Sequence, residues 1–161
     1  MNPEQTLQSA KALAAILMQQ NRMLVTAESC TGGLIAATCT DLPGSSAWLE
    51  RGFVTYSNAA KTELLGVPAD LIARHGAVSE PVARAMAEGA VAHSHAQVSV
   101  AVTGVAGPSG GSPDKPVGTV WLGWCVDGHT TTECRHFSGD RAAVRQATVA
   151  HALARLVQLL G

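Results

Sequence analysis

The chain has 161 residues, 47% hydrophobic and 14% charged, with a formal net charge of -1. That length fits one domain, spanning 1–161, and so apolar a chain fills a core and is not disordered. A near-neutral balance excludes the basic groove of a nucleic-acid binder, so no nucleic-acid partner is expected.

A first helix is predicted over about Pro3 to Gln20, where Leu7, Ala10, Leu13, Ala14, Leu17 and Met18 recur at helical spacing. Met23 to Ala27 reads as a short buried strand and Leu34 to Thr40 as a helix. Between them stands a polar stretch, Thr26-Ala27-Glu28-Ser29-Cys30-Thr31-Gly32-Gly33. Asp41 to Ser46 is a turn by composition. A strand is expected within Trp48 to Tyr56, where Phe53-Val54-Thr55-Tyr56 favours β structure. Ser57-Asn58 then caps a helix that carries Lys61 and stops at Leu65-Gly66. Pro68 to Arg74 reads as another short helix. Ser79-Glu80-Pro81 opens the next, with Ser79 as its cap, running to about His93. Gln97 to Thr103 alternates with Val as a strand does.

A Gly- and Pro-rich loop, Gly104 to Pro116, leads into a strand over Val117 to Val126. Asp127-Gly128 is a hairpin turn, and Thr130 to Phe137 returns antiparallel. Gly139 to Leu160 is a long amphipathic helix with Val144, Ala147, His151, Ala154, Val157 and Leu160 along one side. Strands alternating with helices predict a layered α/β/α fold. Its sheet is mixed and mostly parallel, with a C-terminal antiparallel hairpin.

The four cysteines, Cys30, Cys39, Cys125 and Cys134, form no C-x-x-C pair, so neither a zinc framework nor a disulfide ladder is expected. The polar start and the lack of an 18-residue apolar run point to a cytoplasmic protein with no membrane partner.

Three polar junctions follow strands, where open α/β sheets hold ligands. In the first, either Ser29 is a nucleophile, or Ser29 or Thr31 is simply the cap of the helix that follows, and a serine needs a base to attack. It lies in no G-x-S-x-G motif. Lys61, one of three lysines, follows the second junction, Tyr56-Ser57-Asn58. It is either a solvated helix lysine or the base of a Ser–Lys pair, provided its surroundings keep it neutral. Tyr56, the one tyrosine, either relays a proton or is an amphipathic aromatic at the sheet edge. The third junction runs from Thr103 and Gly104 through Gly107 to Gly111. It matches no P-loop, yet its bare backbone can approach a phosphate or ribose. Arg141 and Arg145, four apart on the last helix, are either a phosphate clamp or a solvated pair. Cys30 beside Ser29 reads as packing.

Thr26 to Gly33, Tyr56 to Lys61, Gly76-Ala77-Val78-Ser79-Glu80, and Ala101 to Pro108 through Lys115 to Val120 together resemble the CinA C-terminal domain family, in order and over nearly the whole chain. The resemblance implies hydrolysis of the carboxamide of nicotinamide mononucleotide to nicotinate mononucleotide and ammonia, serving pyridine-nucleotide salvage. It implies a Ser–Lys site in Ser29 and Lys61, assisted by Tyr56, and all three positions hold the implied residue type. On this reading the backbone of Cys30, Thr31, Gly32 and Gly33 holds the oxyanion. Thr103, Gly104, Gly107, Gly111 and Arg145, with Arg141 as the other candidate, hold the ribose phosphate. The scheme needs no metal and no redox cofactor. The expected partner is the small-molecule nucleotide, with a homo-oligomer (dimer or higher) left open. The alternative is a non-catalytic nucleotide-binding module with a competence- or damage-related regulatory role, which some family members are recorded as having.

Overall fold

In a computed structural model that describes residues 2–161, five strands form one sheet. Chain order is α1 (Pro3–Gln20), β1 (Leu24–Glu28), α2 (Leu34–Thr40), a 3-10 turn (Ser45–Ala47), β2 (Leu49–Val54), α3 (Asn58–Leu65), α4 (Ala69–His75), α5 (Glu80–Ala92), β3 (Val98–Gly104), β4 (Thr119–Val126), β5 (His129–His136) and α6 (Arg141–Leu160). The sheet order is β2-β1-β3-β4-β5. β1 pairs parallel with both β2 and β3. β4 runs antiparallel to β3 and to β5. Four of the five strands therefore point one way, with β4 alone reversed. No helix among the described residues is long and apolar enough to cross a membrane.

Side-chain alternation along the strands feeds two cores. Leu24, Val98, Val100, Val102, Leu122 and Trp124 face α1, α2 and α6, meeting Leu13, Leu17, Ile35, Leu153 and Leu156. Val25, Ala27, Ala101 and Cys125 face α3, α4 and α5, meeting Leu65, Ile72, Val82, Met86 and Ala90. Six of the seven residues of β3 are buried, where alternation alone suggests one wet face. Helices cover both sides of this central strand, as parallel sheets require, and the Ser99 hydroxyl donates to the Ala87 carbonyl at 2.7 Å.

Most ends follow local chemistry. Asn2 and Ser57 accept side-chain capping bonds from Gln5 N and Ala60 N, and Gly66 closes α3 with a left-handed φ of 72°. Two expectations need correction. The Ser79 hydroxyl makes no capping bond to α5; it donates to the Gly76 carbonyl at 2.8 Å, fastening the α4–α5 turn. The buried residues of α6 are Val144, Thr148, Val149, Ala150, Ala152, Leu153, Leu156 and Leu160. Ala147, His151, Ala154 and Val157 are only partly buried, because alanine-rich helices fit more than one apolar stripe and the neighbours choose.

Small residues set the layer spacing. A Cβ on Gly89 of α5 would lie 2.0 Å from the Leu65 carbonyl oxygen. Gly89→Ala should therefore push α3 off α5 and destabilise by about 1–3 kcal/mol. A calorimetric scan should show the unfolding midpoint falling by roughly 2–4 °C per kcal/mol.

Candidate active site

Because β1, β2, β3 and β5 run the same way, the β1–α2, β2–α3 and β3–β4 connections and the start of α6 all emerge at one sheet edge. They enclose a crevice of about 360 Å³. Ser29, Cys30, Tyr56, Lys61, Thr103, Gly104, Gly107 and Arg141 line it, with Asn58, Ala77 and Val78.

Ser29 follows the last residue of β1, and its N–H donates to the Val102 carbonyl at 3.1 Å, prolonging the β1–β3 ladder by one residue. The neighbouring carboxylate sets the turn that comes next. Glu28 is 1% exposed. Its Oε1 accepts from the Thr31 hydroxyl at 2.6 Å and from Ile35 N at 2.8 Å. Its Oε2 accepts from Ala36 N at 3.0 Å and from the Thr26 hydroxyl at 3.2 Å. Glu28 is thus the capping group of α2, a role that the sequence suggests for Ser29 or Thr31. Gly33 occupies the cap position itself, with a φ of 103° and no side chain to offer. Ser29 is freed from capping, and its hydroxyl turns to Lys61.

Lys61 lies in the first turn of α3 and is 1% exposed, so the solvated-lysine reading does not apply. Its Nζ lies 3.2 Å from Ser29 Oγ, 3.1 Å from the Thr55 carbonyl oxygen and 3.4 Å from that of Tyr56. Among the described residues no carboxylate pairs with it. Burial pushes its ammonium below the ordinary lysine value of 10.5, and the neighbouring Cys30 only partly opposes this. A neutral amine has two N–H groups and one lone pair. Two carbonyls and one hydroxyl surround Nζ, so a neutral amine there can donate to both carbonyls and accept from the Ser29 hydroxyl, while an ammonium can donate to all three oxygens.

Burial pushes the Cys30 thiol up to about 12, so it is protonated and no competitor to Ser29 as nucleophile. Within the turn, Gly32 N donates to the Ser29 carbonyl and Leu34 N to that of Thr31, while the amides of Cys30 and Thr31 have no backbone acceptor among the described residues.

Tyr56 lies just beyond β2, not inside it, and is 63% exposed at the crevice mouth. Its backbone carbonyl faces Lys61, and its hydroxyl accepts from Arg141 at 3.2 Å. The Thr103 hydroxyl donates to the Ala77 carbonyl at 2.9 Å, tying β3 to the α4–α5 turn that walls the crevice. Gly107 has a φ of 86°, and a Cβ there would meet Val117 at 2.5 Å. A Cβ on Gly104 would likewise lie 2.7 Å from the Val120 side chain. These glycines let the β3–β4 loop fold flat against its own return.

Several candidates do not reach the crevice. Thr31, Gly32, Gly33 and Gly111 are not among its lining residues. Nor is Arg145, which lies under the first turn and donates to the Cys30 carbonyl at 3.2 Å and to that of Thr31 at 3.0 Å. Arg141, one helical turn earlier, is the arginine that reaches the crevice.

The model of the CinA C-terminal domain matches residues 6–160. The nicotinamide-nucleotide amidohydrolase PncC of Pseudomonas putida is 56% identical over 159 residues, which is 99% of this chain and 98% of that protein. A CinA-like protein of Akkermansia muciniphila is 55% identical over 148 residues, but the match spans only 36% of its length. Among solved structures, the competence/damage inducible protein CihA of Agrobacterium tumefaciens superimposes with a TM-score of 0.95 at 43% identity, covering 100% of this chain and 99% of that one.

Proposed function

This chain belongs to the CinA C-terminal domain family, and we propose that it hydrolyses the carboxamide of nicotinamide mononucleotide by a Ser–Lys mechanism. The full-length relative from Pseudomonas putida supports the substrate. The observation that carries the mechanism is the 3.2 Å approach of a buried, carboxylate-free Lys61 to Ser29 Oγ.

Neutral Lys61 takes the Ser29 proton as Oγ attacks the carboxamide carbon. The resulting oxyanion is held by backbone N–H groups at the start of the Cys30–Gly33 turn, with Cys30 nearest the crevice; one such donor contributes about 3–4 kcal/mol. The C–N bond breaks as Lys61 returns its proton to the leaving nitrogen, and ammonia departs. Water, deprotonated by Lys61, then hydrolyses the ester on Ser29 to release nicotinate mononucleotide. Tyr56 assists these proton transfers. The backbone around Gly104 and Gly107, with Arg141, receives the ribose phosphate.

Incubation with nicotinamide mononucleotide should release ammonia and nicotinate mononucleotide in equal amounts, while free nicotinamide releases none. Intact protein that binds the mononucleotide without releasing ammonia would instead be a nucleotide-binding module.

The base must be neutral, so kcat/KM should rise with pH as Lys61 loses its proton, along a limb centred below 10.5. Lys61→Arg should be inactive at every pH, because guanidinium stays charged. A profile over the neutral and alkaline range checks both; a flat wild-type profile is inconsistent with a lysine base. Stability has the same sign. Between the lowered folded value and 10.5 the unfolded chain binds the extra proton, so stability rises with pH across that window.

A further inference from the structure

One side chain spans the crevice mouth. Arg141 donates to the Gly107 carbonyl at 2.8 Å and to the Tyr56 hydroxyl at 3.2 Å. A single guanidinium thus joins α6, the β3–β4 loop and the β2–α3 junction. The Tyr56 hydroxyl makes no other hydrogen bond among the described residues, and the residue is largely exposed, so this contact sets where the ring stands.

The cations around the crevice are not equivalent. Lys61 is buried on the nucleophile. Arg145 is engaged by two carbonyls under the turn. Lys115 donates to the His75 carbonyl at 2.9 Å. Arg141 alone among these both lines the crevice and is held only by neutral acceptors at its mouth. No carboxylate among the described residues forms an ion pair with it. The adjacent Asp140 is committed to Ala143 N as the α6 cap. The guanidinium's bond to the phenol joins a cation to a neutral acceptor, whereas a phosphate offers anionic oxygens that an arginine fork can bind in pairs, so an arriving phosphate outcompetes the phenol oxygen.

We infer that Arg141 is a specificity-determining residue that makes turnover depend on the phosphate. In the free protein it tethers Tyr56 at the mouth. A substrate phosphate draws the guanidinium to itself and releases Tyr56 toward Ser29 and Lys61. The phosphate is then read in kcat as well as in binding, as when binding energy from a remote group organises the reacting centre. This inference rests on the nucleotide reading of the site given above.

Tyr56 is the only tyrosine in the chain, so ring-¹³C-tyrosine labelling gives one NMR signal that reports the tether. Inorganic phosphate and nicotinamide mononucleotide should both move that signal in the wild type, while the nucleoside without phosphate should not. In Arg141→Gln phosphate should leave the signal unmoved. In turnover assays, added phosphate should raise kcat on the nucleoside by roughly 5- to 150-fold in the wild type, the span of an ordinary coupling between two sites. It should have no effect in Arg141→Gln, whose kcat values on nucleoside and mononucleotide converge. A tyrosine signal unmoved by saturating mononucleotide, or two substrates that differ in KM alone, overturns the inference. Absence of ammonia from the mononucleotide would count against the proposed function instead, and the NMR measurement would still decide the tether.

Discussion

Ser29→Ala should lower kcat on nicotinamide mononucleotide by about 10⁴- to 10⁶-fold, the loss seen when a nucleophile is removed from a site that works as a unit. The fold should be untouched. Among the described residues the Ser29 hydroxyl makes one hydrogen bond, to Lys61, and the turn around it is held by the Glu28 carboxylate and by backbone bonds that alanine keeps. KM for the mononucleotide should stay near the wild-type value, since the proposed phosphate contacts lie on other segments. Lys61→Met should fall by a similar factor, and the double variant should be no slower than either single one, because nucleophile and base act together. Steady-state kinetics on the three variants, with unfolding midpoints as the control, test this directly. If Ser29→Ala kept a rate within about tenfold of wild type, the attacking group would be a Lys61-activated water and the ester intermediate would be dropped.

Much of this site is legible in the residues because its signals are local. Ser57 before an apolar helix start, Gly66 after its end, and a scarce lysine between them place Lys61 near a strand-to-helix junction whatever the tertiary structure. The Asp127-Gly128 turn is equally local: both residues take positive φ, 50° and 83°, as a tight hairpin demands. What the residues do not display is decided by distance in space. Glu28 accepts from Ile35 and Ala36, seven and eight positions on, and from two threonine hydroxyls on either side of it. No side-chain spacing announces a carboxylate that caps a helix from the end of the preceding strand, so the nearer Ser29 and Thr31 look like the caps.

Arg141 and Arg145 show the same limit. Four residues apart they share a helical face, yet one turn of axial rise separates the crevice mouth from the underside of the Ser29 turn. Which arginine reaches the crevice depends on where α6 begins relative to the sheet edge. The β2 register is a further case. Phe53 to Tyr56 favours strand, but the strand ends at Val54; Thr55 N still donates to the Glu28 carbonyl, prolonging the β1–β2 ladder by one residue, before Ser57 caps α3 and turns the chain away.

Glu28→Gln separates holding the nucleophile from holding the fold. Glutamine keeps one acceptor oxygen but sets an NH₂ group against donors, so at least one of Ile35 N, Ala36 N and the Thr31 and Thr26 hydroxyls loses its acceptor. A buried donor left unpaired costs about 1–3 kcal/mol, and the unfolding midpoint should fall accordingly. Glu28→Ala removes all four acceptor contacts and should be less stable still. The functional effect arises because Ser29 is the next residue. Once α2 no longer anchors the turn, Ser29 Oγ drifts relative to Lys61, which is fixed independently by the Thr55 and Tyr56 carbonyls. Misplacement by about 1 Å costs about 10²-fold in rate, so kcat should drop by that order. KM should change little, because Glu28 lies outside the crevice lining. Glu28→Asp, one methylene shorter, keeps the charge but cannot reach all four donors and should fall between wild type and Glu28→Gln. A Glu28→Gln protein that loses stability while keeping wild-type kcat would reduce Glu28 to a helix cap. A kcat loss at unchanged KM, graded from Asp to Gln together with the fall in unfolding midpoint, would mean that the cap of α2 is also what aims the nucleophile.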